Sequence, residues 1–263
     1  MQNRGLTTQE KSWVLYDWAN SSFGIIVVTA VLPIWVVKVG QNTGFSGAQT
    51  TAFWSYANAF STFLVAIAAP ILGAIADYAG FKKRLFTWFT LIGIIGTVGL
   101  ALVPDNKIWW LLFIFMLANI GYSAANIFYD AFLTDVTTDI RMNRVSSAGY
   151  GFGYLGGVIP FVIFYLLRGL MTPTTGVMFA FMLASVWWLL WTIPMWRTVN
   201  QVNFLPTPQQ PFTEAIQRII TTIKNIAKYP DIAWFLLAYF FISMVLIQFL
   251  LRQQCLVLLL ASK

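Results

Sequence analysis

Residues 73–84 read GAIADYAGFKKR and lie between two long apolar runs, 51–76 and 85–103. Gly73 and Gly80 permit a tight turn and a close approach of neighbouring helices. Asp77 can accept hydrogen bonds from backbone amides or meet a nearby cation. Lys82, Lys83 and Arg84 place a dense positive charge in a connection too short to hold anything but a turn. The runs on either side are each long enough to cross a hydrocarbon core of ~30 Å as a helix. The stretch therefore reads as a membrane-surface turn between two transmembrane helices.

Beyond this turn, comparable runs lie near 13–37, 109–129, 149–167, 176–196 and 232–251. Of the 263 residues 59% are hydrophobic and 10% are charged, where a soluble chain carries roughly 25% charged. Water cannot solvate such a surface, so the partner expected first is the lipid bilayer. The run starting at Trp13 is followed by further spans and is expected to stay in the membrane, not to be cleaved as a signal peptide. Trp109 and Trp110, and Trp187 and Trp188, suit interfacial belts. The fold class is all-α and polytopic.

The net charge is +7, but its distribution excludes a nucleic-acid surface. Counting spans from the N-terminus, one side receives Arg4, Lys11, Lys82, Lys83, Arg84, Arg141, Arg144, Arg197, Arg218, Lys224 and Lys228. The other side receives Lys38, Lys107 and Arg168. Cationic loops stay in the cytoplasm, so the N-terminus is expected there, in the plasma (inner) membrane if the source is bacterial. Histidine is absent and Cys255 is the single cysteine. That excludes an intrachain disulfide, a histidine proton relay and most zinc sites. No metal, cofactor or catalytic residue is expected, and the chain is not read as an enzyme.

The organisation follows: an N-terminal segment 1–12, six spans over 13–196, a linker over 197–230 and a seventh span over 231–263. The linker opens with the proline-rich NFLPTPQQPF of residues 203–212. Ile216, Ile219, Ile220, Ile223 and Ile226 then recur at helical spacing among Arg218, Lys224 and Lys228. That pattern predicts an amphipathic helix, on the membrane surface or packed on its own protein.

Residues 73–84 resemble the G-x-x-x-D-x-x-G-R-[KR] signature of the major facilitator superfamily, with Phe81 as the departure. The resemblance implies an N-terminal six-helix bundle plus a seventh helix. It also implies that Gly73, Asp77, Gly80, Lys82, Lys83 and Arg84 form a loop that switches with conformation. A narrower resemblance runs through KSWVLYDWANSSF at 11–23, NIFYDAFLTD at 126–135 and RVSSAGYGFGYLGG at 144–157. In that order these are similar to the vacuole effluxer family, whose eukaryotic members are linked to amino-acid efflux. Asp130 stands where relatives carry Asn, and Thr134 where they carry Pro.

Apart from any family, a carboxylate at membrane depth is costly and marks a cavity, a partner or an ion path. Asp17, only a short way inside Trp13, is such a residue, with a substrate or proton role and a structural hydrogen-bonding role both open to it; Asp130 lies near a helix end, where a structural role is favoured. Asn20, Asn58, Asn119, Asn126 and Tyr129 could line a polar cavity with them, or serve as interhelical hydrogen-bonding groups. Gly149, Gly153, Gly156 and Gly157 read as a small-residue packing face. The G-x-G-x-x-G of Gly151, Gly153 and Gly156 is not a nucleotide loop, since no strand precedes it. Asn20-Ser-Ser22 fits a glycosylation sequon but lies inside a span. Arg141 and Arg144, near Asp135 and Asp139, read as a solvated loop pairing its own charges.

The tail departs from the family. Its seventh span continues with Tyr-x-Asp-Gly-Val-x-Thr-Ile, whereas residues 242–263 read ISMVLIQFLLRQQCLVLLLASK. One codon choice for that tail, with a single T restored before it, reads YIDGVDTILTAATVLGASFGLK. Residues 242–263 are therefore expected to be out of frame, with the base lost in the codons of Phe240 and Phe241. The expected function is secondary transport of a small solute by alternating access. The chain itself is then a truncated, inactive fragment lacking a C-terminal bundle. The alternative is a membrane scaffold or assembly subunit.

Overall fold

The computed structural model describes residues 5–208, 210–225, 228, 230, 231, 234, 235, 237–239, 241 and 242. Most of the seventh span, all of 243–263 and Ile226 lie outside the described residues, as does the side chain of Ile223. The chain divides into two units, Met1–Thr207 and Pro208–Lys263.

The first unit holds six helical spans. Span one is α1 (Thr8–Ser22), a π-helical segment (Phe23–Val31) and α2 (Leu32–Asn42). It begins within the stretch read as an N-terminal segment, because Thr7 and Glu10 form a capping box. The Glu10 amide donates to Thr7 Oγ1 (3.2 Å) and the Thr7 amide to Glu10 Oε2 (2.7 Å). Hydropathy sees only the apolar part of a helix, so a polar first turn escapes it. Pro33 explains the wider winding ahead of it, since proline lacks an N–H and its ring crowds the carbonyl one turn back. The Thr29 hydroxyl supports this segment by donating to the Gly24 carbonyl at 2.8 Å.

The remaining spans are α3 (Gly47–Ala76), α4 (Phe81–Leu102), α5 (Ile108–Ala131) with the short α6 (Leu133–Val136), α7 (Asp139–Leu167) and α8 (Pro173–Thr198). A second capping box, Ser46 with Gln49, starts α3. Gly80 ends the turn before α4 at φ +76°, where a side chain would be strained. Among the described residues the β content is one isolated bridge, Tyr78 to Leu205.

Span one and α5 form the centre: 56% and 50% of their most apolar stretches are buried, against 17% for α3. The core is aromatic, with Tyr16, Phe23, Phe115, Phe128, Phe181 and Trp188 fully enclosed. Backbone proximity is set by small residues. A Cβ on Gly121 would strike the backbone of Gly93, which is why α4 and α5 pack so closely. Tyr56, Phe60, Phe63 and Ile67 of α3, and Tyr150, Tyr154 and Leu155 of α7, are exposed.

The second unit contributes α9 (Pro211–Asn225), with Glu214 in its first turn and Lys224 in its last, as the helix dipole favours. Ala215 is buried, Ile216 and Ile219 are half-buried, and Gln217 and Arg218 are exposed. The helix is amphipathic.

Candidate functional site

Two constellations stand out, one between the spans α1, α5 and α7 and one on the face carrying the N-terminus. The first is built where α1 meets α5 and α7. The Trp13 indole N–H donates to the Tyr129 carbonyl at 2.9 Å, and the two rings stack with centroids 4.4 Å apart. Gly149 leaves room for both, since a Cβ there would press on the Trp13 ring and the Tyr129 hydroxyl. One turn further along α1, the Asp17 carboxylate lies over Gly153, and a Cβ on that glycine would be 2.7 Å from Oδ2. Gly156 and Gly157 continue the contact against the Trp18 backbone and Ser21. The four glycines form a groove in α7 that receives α1 and leaves Asp17 half-buried beside it.

Asn20 follows Asp17 on α1 and donates to the Asn126 side-chain oxygen of α5 at 2.5 Å. One turn along α5, Asp130 is exposed. Tyr129 is 4% exposed, and its hydroxyl makes no hydrogen bond among the described residues. Asp17, Asn20, Asn126, Tyr129 and Asp130 are thus carried on the facing elements α1 and α5. Asn58 does not join them. It accepts a long hydrogen bond (3.4 Å) from the Asn119 amide, which also donates to Ser61 Oγ at 2.8 Å. Asn119 precedes Asn126 by seven residues, about 10 Å along the helix. This is a separate α3–α5 contact, and sequence alone could not separate the two sets because both show only scattered asparagines. Tyr122, whose hydroxyl sits beside Gly24, escapes a reading of the sequence. There it is one more aromatic among many.

The second constellation joins three stretches distant in sequence. Lys82 is 5% exposed and makes a 2.8 Å ion pair with Asp135, while also donating to the Ala131 carbonyl at 3.2 Å. The other Asp135 oxygen accepts the backbone amides of Val202 (3.1 Å) and Asn203 (2.8 Å). Gln201 accepts from the Gly80 amide (3.1 Å) and donates to the Ala76 carbonyl (2.9 Å). Leu205 exchanges backbone hydrogen bonds with Asp77 and Ala79. Lys83 donates to Asn200 at 2.9 Å, and Arg84 lies 5.8 Å from the Phe81 ring. Gly73 has open space where a Cβ would be, so it does not mediate close packing. The first residues of the linker are therefore a strap across the 77–81 turn and α6.

This corrects the reading of Asp135 and Arg141 as members of one solvated loop. Asp135 pairs with Lys82. Arg141 forks onto Glu10 through Nε (2.8 Å) and Nη2 (2.6 Å), and Glu10, 1% exposed, also accepts from the Thr137 hydroxyl at 2.7 Å. Proximity in sequence misassigned both pairs, because ion pairing depends on which helices the fold makes neighbours. The same chemistry locks α1 to the start of α7.

The family model described as vacuole effluxer Atg22 like matches residues 7–140 and 134–256. An uncharacterized MFS-type transporter, YxiO, of Bacillus subtilis (strain 168) is 44% identical over 242 residues, covering 89% of this chain and 56% of the relative. Autophagy-related protein 22 of Saccharomyces cerevisiae (strain ATCC 204508 / S288c) is 22% identical over 244 residues, covering 73% and 46%. An uncharacterized protein of Aquifex aeolicus (strain VF5) is 25% identical over 151 residues, covering 57% and 36%. The chain spans about half the length, or less, of these relatives.

Proposed function

Because the chain belongs to the vacuole effluxer Atg22-like family, we propose that its bundle is one half of a secondary active transporter that exports a small solute by alternating access. The observation that supports this is the polar set on α1 and α5. Asp17 is half-buried within span one, where a charge is costly without a purpose, and Asp130 stands exposed at the end of α5. The Tyr129 hydroxyl is a buried polar group whose hydrogen-bonding capacity is unused among the described residues. An amino acid suits such a wall: a carboxylate holds its ammonium group, and amide and hydroxyl donors hold its carboxylate. In this reading Asp17 is the residue that takes up and releases a coupled proton.

Alternating access rocks two bundles about a site between them. One bundle supplies half of that site, and we infer that the exposed faces of α3 and α7 pack on a second bundle. The N-terminus lies on the cytoplasmic side, by the charge bias of the loops, and the membrane is the plasma (inner) membrane if the source is bacterial. In this reading residues 242–263 are an out-of-frame tail, and the chain does not transport as a monomer.

The test uses proteoliposomes containing either this chain or a version continued in the restored frame. Labelled amino acids are followed under an imposed pH gradient. The continued protein is expected to show saturable flux, its Asp17→Asn variant to lose proton dependence, and the present chain to be inactive. Gradient-driven, saturable flux by the monomeric chain would overturn the half-site reading. Absence of flux in the continued protein, together with a stably co-purifying subunit, would favour a membrane scaffold instead.

A further inference from the structure

Further along span one and α7, toward the face opposite the N-terminus, α2, α7 and α8 line a cavity of about 510 Å³. Its walls are apolar and include Val31, Ile34, Phe161 and Phe164. Its rim carries Lys38 and Arg168, both exposed. The Lys38 ammonium lies 5.3 Å from the Trp35 ring, and the Arg168 guanidinium 4.3 Å from the Tyr165 ring. Among the described residues neither cation is ion-paired with a carboxylate. From Ala30, which also lines the cavity, to Lys38 is eight residues, about 12 Å of helix. The cavity thus runs from a cationic mouth at the membrane surface to an apolar interior within the bilayer.

That polarity selects the ligand. A soluble anion would neutralise the mouth and leave the apolar walls unfilled. A hydrocarbon would fill the walls and leave two cations with no counter-charge. An amphiphile with an anionic head satisfies both.

We propose that this cavity binds one anionic diacyl phospholipid of the leaflet opposite the N-terminus. Its phosphodiester is held between Lys38 and Arg168, and one acyl chain lies along Val31, Ile34 and Phe161. The site needs the bundle to sit in a membrane but needs no transport activity, so it stands or falls apart from the transport reading.

The experiment is native mass spectrometry of the detergent-purified chain, titrated with phosphatidylglycerol and with phosphatidylcholine of the same acyl composition. Phosphatidylglycerol is expected to be retained on the order of tenfold more strongly, from two cations at the membrane surface. The Lys38→Gln, Arg168→Gln double variant is expected to lose that preference, and Lys107→Gln, a cation on the same face outside the cavity, to keep it. Gly176 lines the cavity, and a Cβ there meets nothing within 4 Å. Gly176→Leu should therefore project its side chain into the cavity and abolish retention with both cations intact, its circular dichroism matching that of the unmodified chain. Lys38→Arg with Arg168→Lys should keep it, which guards against a double variant that fails to fold. Equal retention of the two lipids by the unmodified chain would overturn the proposal, as would an undiminished preference in Gly176→Leu. Displacement of the lipid by millimolar glycerol 3-phosphate would overturn it too, because the site would then read a phosphate alone.

Discussion

At the level of single residues, Lys82 and Asp135 show how much a buried charge depends on its partners. Their side chains are 6% and 0% exposed, and every interaction of Asp135 described above is with a cation or a backbone amide. Desolvating two charges is offset only when the geometry is good and the remaining lone pairs are satisfied, and both conditions hold here. Lys82→Met should strand the carboxylate and cost about 3–5 kcal/mol. Adding Asp135→Leu should recover much of that loss, although the amides of Val202 and Asn203 then lose their acceptor. Thermal unfolding in detergent micelles of the two single variants and the double variant measures this, and a double variant as weak as the sum of the singles would refute the coupling. Trp13→Phe tests a smaller contact. It keeps the ring stack on Tyr129 but loses the indole hydrogen bond, an expected cost of about 1 kcal/mol by the same assay.

At the level of elements, the glycines divide into two physical classes that their letters do not separate. Gly73 is helical, with open space where a methyl group would project, so Gly73→Ala should be neutral or stabilising by up to about 1 kcal/mol through helix propensity. Gly121 touches the Gly93 backbone, so Gly121→Ala should force α4 and α5 apart and cost about 1–3 kcal/mol. Melting temperatures of the two variants should therefore move in opposite directions or, at the least, differ clearly. A destabilised Gly73→Ala would show that the start of the cationic turn carries a constraint that packing does not reveal. On α7, Gly149, Gly153, Gly156 and Gly157 recur at helical spacing, which makes a packing face legible. That the face receives Trp13 and Asp17 of α1 is not legible, because a small residue advertises room and does not say for whom.

For the molecule as a whole, the strap formed by residues 200–205 ties the start of the linker to the bundle. It makes the 77–81 turn, α6 and these residues one hydrogen-bonded body, so a displacement of any of them must break contacts with the others. Gln201→Ala removes two of these links. It should raise the hydrogen-exchange rate of the Gly80 amide and its neighbours by about tenfold while leaving the α1–α7 contact protected, as mass-resolved exchange in micelles would show. Unchanged exchange would mean that the backbone bonds of Leu205 and the Asp135 contacts suffice alone. Prolines and polar residues, the local signs of a chain leaving a helix, mark the linker in the sequence. Nothing there marks the strap, because backbone amides that bond across 60 or more positions leave no trace in composition.

Residue type and order are enough to establish the solvent, the number of apolar spans over 13–196, the sidedness of charge and the family. The first three follow from hydration cost, which acts locally along one helix, and the family from motifs read in order. Only the packed helices establish which carboxylate meets which cation, that Asn58 stands apart from Asn20 and Asn126, and that Lys38 and Arg168 share the mouth of a cavity. Those are relations between helices distant in the chain. They depend on how close small residues let backbones approach and on which faces then turn toward each other.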